Sequence, residues 1–312
     1  MTSARLGFSL AILVLVGIAG AAIGTARLRE ARAVIAHPPT GQFVVVNRRR
    51  VHVEVAGSGP DLILIHGASG NLRDFTFDLR DRLTGQFRVI VVDRPGFGHS
   101  DPLDDLSLAA QARHLAAAVA QLGVTRPLLA GQSYGGSVAL AWALQDADVA
   151  ALVMIGSPSL PWPGGLSATY RVSANPVGAA LLAALVPKSY VDATIARIFA
   201  PAPVPAGYDD FIGSELTLRR TTLRTNGAQV LALRAQLVAM QPLYPGLRLP
   251  VELVHGDADT VVPLSIHSAP LALLLPDAHL TVIPGAGHMP HHSHPQIVMD
   301  AITRAATRAR LR

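Results

Sequence analysis

One short stretch constrains the fold of this chain more than any other. Residues 128–131 are typical of a short buried strand, and the apolar run after residue 136 is typical of a helix. Between them lies Gly131-Gln132-Ser133-Tyr134-Gly135, a turn of the form G-x-S-x-G, too tight for a Cβ on either side of the serine. Such a turn presents the serine hydroxyl at the end of a strand, where a nucleophile is needed. A Gly-rich turn can also contain a serine by chance, so the remainder of the chain has to decide.

Composition limits the class of protein. The chain has 312 residues, long enough for one large α/β domain with an insertion or for two domains. Hydrophobic residues make up 50% of it and charged residues 15%, which argues against general disorder. The formal net charge is +5, but the arginines are spread along the chain and Lys188 is the only lysine. That distribution argues against a nucleic-acid partner. The absence of cysteine excludes disulfides, a thiol nucleophile and cysteine-ligated zinc.

The N-terminal segment is apolar over residues 6–23, a length at the lower limit for a membrane-spanning helix. Three arginines follow it: Arg27, Arg29 and Arg32. Positive charge directly after an apolar run disfavours export and cleavage. The favoured interpretation is therefore an uncleaved single-pass membrane anchor with its linker, residues 1–41. The alternative is a secretory signal cleaved near Ala19-Gly20-Ala21, which would make the protein secreted or periplasmic.

Strand and helix patterns alternate through residues 42–156, which is typical of a doubly wound parallel sheet. Two β-rich runs, residues 42–47 and 50–56, predict an edge hairpin. Continuous apolar strands follow, as expected where both faces of a sheet are covered. Ser107 is predicted to cap a helix that stops at Gly123.

The alternation stops at residue 157, and strand patterns resume only in the last segment, residues 250–312. Residues 157–249 combine Pro-rich loops with predicted helices near 190–199, 209–224 and 228–240. An insertion at this place would lie above the carboxyl ends of the strands, where ligands bind in open α/β sheets. We therefore predict a helical lid. Three of its aromatic residues either line an acyl pocket or pack among the lid helices: Trp162, Tyr170 and Phe211.

The last two strands end in residues that can activate a serine. A serine hydroxyl is a good nucleophile only when a base takes its proton and an acid orients that base. One strand is followed by His255-Gly256-Asp257-Ala258-Asp259, and the other by Pro284-Gly285-Ala286-Gly287-His288. The chain order is therefore serine, acid, histidine.

From residue 42 onward the chain resembles the α/β-hydrolase superfamily, and within it the lid-bearing serine esterases and carbon–carbon hydrolases. Five motifs carry the resemblance, each at a predicted strand end: HGASG, DRPGFGHS, GQSYGG, HGDADTVVP and GAGH. The resemblance implies an α/β fold with an eight-stranded, mostly parallel, doubly wound sheet and a helical lid insertion. The apolar N-terminal helix predicted from residues 6–23 lies outside it.

The resemblance also implies a catalytic triad. Ser133 would be the nucleophile and His288 the general base and then acid. Asp259 would orient the histidine, because the family's G-x-x-D-x-x-x-P spacing places it there, while Asp257 is the rival carboxylate. The oxyanion hole would be formed by the backbone N–H groups of Ala68 and Tyr134.

Other conspicuous residues are assigned no chemistry. His66 is expected to lie under the oxyanion loop, and Asp93 with Arg94 to brace loops. Three histidines beside His288 invite a metal site, but they share one loop and lack an H-E-x-x-H spacing: His291, His292 and His294. We predict no metal and no cofactor.

The predicted function is that of a serine hydrolase that cleaves an ester or similar acyl substrate, small and lipophilic, through an acyl-enzyme. A serine at the elbow argues against the dehalogenases and epoxide hydrolases of the superfamily, which use a carboxylate nucleophile. Carbon–carbon, amide or lactone hydrolysis and cofactor-free perhydrolysis remain open. A non-catalytic ligand-binding protein on the same fold is the alternative from another class.

Overall fold

An eight-stranded sheet forms the centre of the molecule in the computed structural model, which describes residues 2–311, with side chains from Gly20 onward. The strands are β1 (Gln42–Val46), β2 (Arg49–Ala56), β3 (Asp61–Ile65), β4 (Arg88–Val92), β5 (Leu128–Gln132), β6 (Ala151–Ile155), β7 (Val251–Gly256) and β8 (Ala278–Ile283). Their order is β1-β2-β4-β3-β5-β6-β7-β8. β2 is antiparallel to both β1 and β4, and all other neighbours are parallel. The predicted doubly wound, mostly parallel sheet is confirmed.

Helices cover both faces of the sheet, which explains its continuous apolar strands. In β3, Ile63 and Ile65 belong to the core on one face, and Leu62 and Leu64 to the core on the other. The helices that contribute to the first core include α4 (Leu108–Ala120), α5 (Tyr134–Ala143) and α11 (Ser268–Leu274). Those that contribute to the second are α2 (Arg73–Thr76), α3 (Leu79–Leu83) and α13 (Pro295–Arg308). The predicted cap is confirmed, since the Ser107 hydroxyl accepts a hydrogen bond from the Ala110 N–H.

The segment between β6 and β7 is helical. It contains α6 (Ala168–Ala174), α7 (Pro176–Leu185), α8 (Lys188–Phe199), α9 (Tyr208–Ile212) and α10 (Arg220–Met240), with 3₁₀ turns at Ser214–Leu218 and Gln241–Gly246. The single helix predicted for residues 209–224 is wrong: Gly213 interrupts it with a φ of 61°, and a Cβ there would lie 2.6 Å from the His37 ring. α6 and α7 were not predicted, because prolines and glycines surround them. That this segment acts as a lid stays a prediction.

The chain begins with α1 (Thr2–Ala36), whose C-terminal half contacts the inserted helices. Ala26 is buried beside Ala183 and Ala184 of α7. The Glu30 carboxylate accepts hydrogen bonds from Arg220 Nε at 2.8 Å and Nη2 at 2.9 Å. These contacts fix the last turns of α1 on α7 and α10.

The predicted membrane anchor falls on residues 6–23, most of whose side chains lie outside the described part of the chain. Among the residues that the structure describes, no single helix combines the length and the apolar composition needed to cross a membrane. The bent pair of α7 and α8, at 99° to each other, has that length and composition only when the two helices are taken together.

Candidate active site

Ser133 lies in a strained turn between β5 and α5. Its φ of 50° and ψ of −125° are rare for a residue with a Cβ, and such conformations cost about 1–3 kcal/mol each. The turn is tight because the backbone of Gly131 packs against that of Gly135, and the backbone of Gly135 packs against the end of β3. A Cβ on Gly131 would lie 2.4 Å from the Gly135 carbonyl carbon, and one on Gly135 would lie 2.1 Å from the Ile65 carbonyl oxygen. The structure therefore has the strand–turn–helix geometry that the G-x-S-x-G motif predicts.

His288 and Asp259 form a buried pair, with exposures of only 4% and 5%. The His288 Nδ1–H donates to Asp259 Oδ2 at 2.7 Å. The other carboxylate oxygen accepts hydrogen bonds from the N–H groups of Val261 at 2.8 Å and Val262 at 2.9 Å. These three hydrogen bonds fix the carboxylate, which in turn holds the histidine ring in one orientation through its Nδ1.

The rival carboxylate faces elsewhere. Asp257 is exposed, and its Oδ1 accepts a hydrogen bond from the Gly285 N–H at 2.7 Å. The structure therefore places Asp259, and not Asp257, against His288.

His255 supports the carboxylate, a contact that the sequence left open. Its Nε2 lies 3.3 Å from Asp259 Oδ2 and 2.7 Å from the Val262 carbonyl, and its Nδ1 accepts from the Ser268 hydroxyl at 2.7 Å. Burial raises the pKa of Asp259, but hydrogen bonds from His255 and His288 outweigh it and hold that pKa well below its ordinary value. Asp259 is thus a carboxylate at neutral pH, able to stabilise an imidazolium at His288.

The serine and the histidine–carboxylate pair lie on adjoining loops. Gln132, next to Ser133, donates from its amide to the His288 carbonyl at 3.2 Å. The Ser133 N–H donates to the Ile155 carbonyl at 2.9 Å. The following residue, Gly156, is so close to the pair that a Cβ there would lie 3.4 Å from Asp259 Oδ2 and 3.5 Å from His288 Nδ1. The carboxyl ends of β5, β6, β7 and β8 thus bring the three predicted triad residues to one edge of the sheet.

The predicted oxyanion loop lies over Ser133. A Cβ on Gly67 would approach the Ser133 Cβ to 3.1 Å, so the next residue, Ala68, is also near the serine. Over residues 2–311, neither the Ala68 N–H nor the Tyr134 N–H donates to another protein group. α10 fixes this loop, since the Asn226 Oδ1 accepts from the Ser69 N–H at 3.0 Å.

Asp93 and Arg94 brace the surrounding loops, as predicted. Asp93 accepts from His52 Nδ1 at 2.7 Å and from the N–H groups of Leu72 and His99 at 2.7 and 2.8 Å. Arg94 donates to the carbonyls of His66 and Gly67, both at 3.0 Å.

His66 lies against the predicted oxyanion loop, with its Nδ1 2.8 Å from the Gly67 carbonyl oxygen. Its Nε2 accepts from the Arg94 N–H at 3.0 Å. Burial and the nearby Arg94 guanidinium lower the pKa of His66 to about 4, so its ring is neutral at pH 7.

Asp74 joins two of the histidines that invited a metal site. The ligand atoms of Asp74, His291 and His292 lie within 4.8 Å of one another and could hold a metal ion by atom type. The carboxylate already accepts from Tyr208 Oη at 2.6 Å, His292 Nε2 at 2.9 Å and His291 Nε2 at 3.2 Å. The two ring centroids are 4.1 Å apart, closer than the roughly 5 Å expected for imidazoles on one tetrahedral zinc. The geometry is that of a hydrogen-bonded cluster tying α9 to the segment after His288.

The three aromatic residues singled out in the inserted segment pack against other side chains of the protein. Phe211 lies against Phe77 with centroids 5.3 Å apart, and Trp162 against His267 at 6.1 Å. Tyr170 packs on the core, and burial raises its pKa. A cavity of about 300 Å³ lies between α1 and the inserted helices, lined by residues such as Arg29, Lys188 and Arg219, and Ser133 is not among its lining residues.

Comparison with known proteins agrees with this architecture. Residues 62–301 match the family model described as "Alpha/beta hydrolase family". The chain belongs to the alpha/beta hydrolase family. This hydrolase is 31% identical to an uncharacterized protein of Mycobacterium tuberculosis, over 86% of this chain and 81% of that protein.

One further relative and one solved structure resemble this hydrolase. It is 28% identical to a 2-hydroxy-6-oxo-6-phenylhexa-2,4-dienoate hydrolase of Burkholderia cepacia, over 82% of this chain and 92% of that protein. Its fold is similar to that of a thermophilic esterase from Thermogutta terrifontis, with a TM-score of 0.71, 24% identity and coverage of 86% and 99% of the two chains.

Proposed function

We propose that this protein is a serine hydrolase acting on an ester or similar acyl substrate through a Ser133–His288–Asp259 triad. The observation that carries the proposal is the buried 2.7 Å contact of His288 with Asp259, on the loops adjoining the Ser133 turn. A hydrolase of this family needs an activated nucleophile, and these residues supply nucleophile, base and orienting acid.

The reaction proceeds in two halves. His288 Nε2 takes the hydroxyl proton as Ser133 Oγ bonds to the acyl carbon, and the N–H groups of Ala68 and Tyr134 bind the oxyanion. The alkoxide leaves with the proton from His288, which gives an acyl-enzyme. His288 then takes a proton from water as the water oxygen attacks the acyl carbon, and returns it to Ser133 as the acid departs.

The substrate class divides into two candidates. An ester requires only the acyl-transfer steps above, and a lipophilic acyl group suits the apolar character of the inserted helices. Cleavage of a carbon–carbon bond in a vinylogous diketone is the second candidate, because a 28% identical relative is named a dienoate hydrolase. An ester panel of increasing acyl chain length, run beside vinylogous diketones, separates the two.

Labelling with a fluorophosphonate probe tests the proposed nucleophile. We expect the wild-type protein to be labelled and Ser133→Ala to be unlabelled and inactive. Ser167→Ala, which removes another serine hydroxyl at the start of α6, is the matched control and should be labelled like wild type. An unlabelled wild type that binds a ligand tightly without turnover would favour a non-catalytic binding protein.

The apolar run of residues 6–23 belongs to the same proposal as a membrane anchor for an enzyme of lipophilic substrates. Deletion of residues 1–24 removes this run and retains Ala26 and Glu30, which contact the inserted helices. We expect the full chain to resist carbonate extraction from membranes and the deletion variant to be released with its esterase activity intact. Full-length protein found wholly in the soluble fraction would contradict the anchor.

A further inference from the structure

Arg94 is a buried cation without a carboxylate partner. Its side chain is 0% exposed, and across residues 2–311 no carboxylate lies within ion-pair distance of its guanidinium. Neutral acceptors take its hydrogen bonds instead: the carbonyls of His66 and Gly67, and the side-chain oxygens of Gln111 at 2.9 Å and Gln229 at 2.7 Å. Burial lowers the pKa of Arg94 to about 10, which leaves it charged at neutral pH. Because buried charges are normally paired, this one needs a reason.

Arg94 lies next to both of the proposed oxyanion donors. It contacts Tyr134 directly, and it contacts Gly67, the residue before Ala68. Its Nη2 donates to the Gly67 carbonyl at 3.0 Å. That carbonyl and the Ala68 N–H belong to the same peptide unit, so a charged donor on the oxygen polarises the N–H on the opposite side. The guanidinium carbon also lies 4.4 Å from the centre of the Tyr134 ring. The cation is therefore directly behind the oxyanion loop and beside the second donor residue.

Gln229 occupies a position where a carboxylate could pair with the Arg94 guanidinium. Its Oε1 accepts from Arg94 Nη1 at 2.7 Å, while its Nε2 is buried without a hydrogen-bond partner. A glutamate has the same shape and would keep the hydrogen bond from Arg94. It would sacrifice no hydrogen bond, because the Gln229 amide nitrogen donates none, and it would form a buried ion pair with Arg94. The amide at this position leaves the Arg94 guanidinium without a direct carboxylate partner.

We propose that Arg94 is a positioning residue whose unpaired charge stabilises the tetrahedral oxyanion through the Gly67–Ala68 peptide and from beside Tyr134. In a buried site of low effective dielectric, a fixed cation acts over several ångströms on the negative charge that develops in the transition state. The ground-state substrate carries no such charge, so the effect belongs to kcat and not to KM. This inference rests on the proposed acyl-transfer function.

Gln229→Glu is the decisive variant, because it neutralises Arg94 without removing the loop-bracing hydrogen bonds. We expect kcat on a p-nitrophenyl ester to fall by about 10- to 100-fold with KM changed by less than about threefold. Affinity for a trifluoromethyl ketone, which binds serine as an anionic hemiketal, should fall by the same factor as kcat. The matched control is Gln236→Glu, on the same helix, whose Oε1 accepts from the Leu108 N–H; it should behave like wild type.

Substitution of the arginine itself separates charge from bracing. Arg94→Met removes both and should lower kcat at least as much as Gln229→Glu, whereas Arg94→Lys keeps the charge and should recover part of the loss. Melting temperature and near-UV circular dichroism report whether each variant folds. A folded Gln229→Glu with wild-type kcat and wild-type trifluoromethyl ketone affinity would overturn the inference. A wild-type protein that neither turns over esters nor is labelled at Ser133 would instead overturn the proposed function.

Discussion

At the residue scale, Asp257 and Asp259 show how two carboxylates in one loop come to differ. Asp257 is exposed and bonds a backbone N–H of the neighbouring loop. Asp259 is buried, accepts from two backbone N–H groups and contacts both His255 and His288. Burial alone would raise the pKa of Asp259, but hydrogen bonds from His255, His288 and the Val262 N–H outweigh it and keep the carboxyl group charged. Only the second carboxylate contacts His288, the proposed general base.

Replacing each carboxylate by its amide tests this difference. Asp259→Asn should lower kcat by roughly 1,000-fold or more, because an amide can hold the wrong His288 tautomer and cannot stabilise an imidazolium. Asp257→Asn retains an oxygen for the Gly285 N–H and should keep kcat within about threefold of wild type. Steady-state ester hydrolysis measures both, and a larger loss in Asp257→Asn would reverse the assignment.

At the element scale, the close crossing of β3 and the start of α5 fixes where Ser133 lies. The helix can begin directly after the serine only because Gly135 brings its backbone against the end of β3. Any Cβ there would push α5 away from the sheet and carry the Tyr134 N–H with it. Gly135, two residues after the proposed nucleophile, therefore contributes to the site through packing.

Gly135→Ala is expected to destabilise the protein although alanine favours helices. The propensity gain is about 1 kcal/mol, whereas forcing a Cβ to within 2.1 Å of the Ile65 carbonyl oxygen should cost roughly 1–3 kcal/mol or more. Urea denaturation measures the difference. Gly165→Ala, at a position where a Cβ meets nothing within 4 Å, should be close to neutral, and equal midpoints for the two variants would refute the crowding argument.

At the scale of the whole molecule, buried neutral histidines make stability depend on pH. The pKa values of His66, His267 and His291 are each lowered to about 4, with burial as the largest cause. In the unfolded chain these groups take up protons near pH 6.5. Between pH 6.5 and 4 the unfolded state therefore binds more protons than the folded state, and stability falls as the pH falls through that window.

His66→Gln should weaken this dependence. A pKa lowered from 6.5 to about 4 corresponds to about 3 kcal/mol of stability lost over the window. Urea midpoints at pH 7.0, 5.5 and 4.5 should decline less in the variant than in wild type, even if the variant is less stable at pH 7.0. Parallel declines would show that His66 is protonated equally in both states.

The sequence determined the elements and the order of the motifs. Continuous apolar strands predict a sheet buried on both faces, and the Gly131–Gly135 spacing predicts a tight turn at Ser133, because local sterics and burial decide both. The resemblance to the family, carried by the serine–acid–histidine order and the family's G-x-x-D-x-x-x-P spacing, selected Ser133, Asp259 and His288, which the structure places on adjoining loops. The helices of residues 168–185 escaped prediction because prolines and glycines interrupt their pattern.

The tertiary structure alone decided the contacts between distant parts of the chain. Asp74 meets His291 and His292 across 217 and 218 residues, and Gln229 of α10 reaches Arg94 across 135. Neither contact can be recognised from a local sequence pattern, because each depends on how helices distant in the sequence pack at the edge of the sheet. The unpaired charge behind the oxyanion loop is therefore a property of the folded molecule, visible only when the partners of every buried polar group are known.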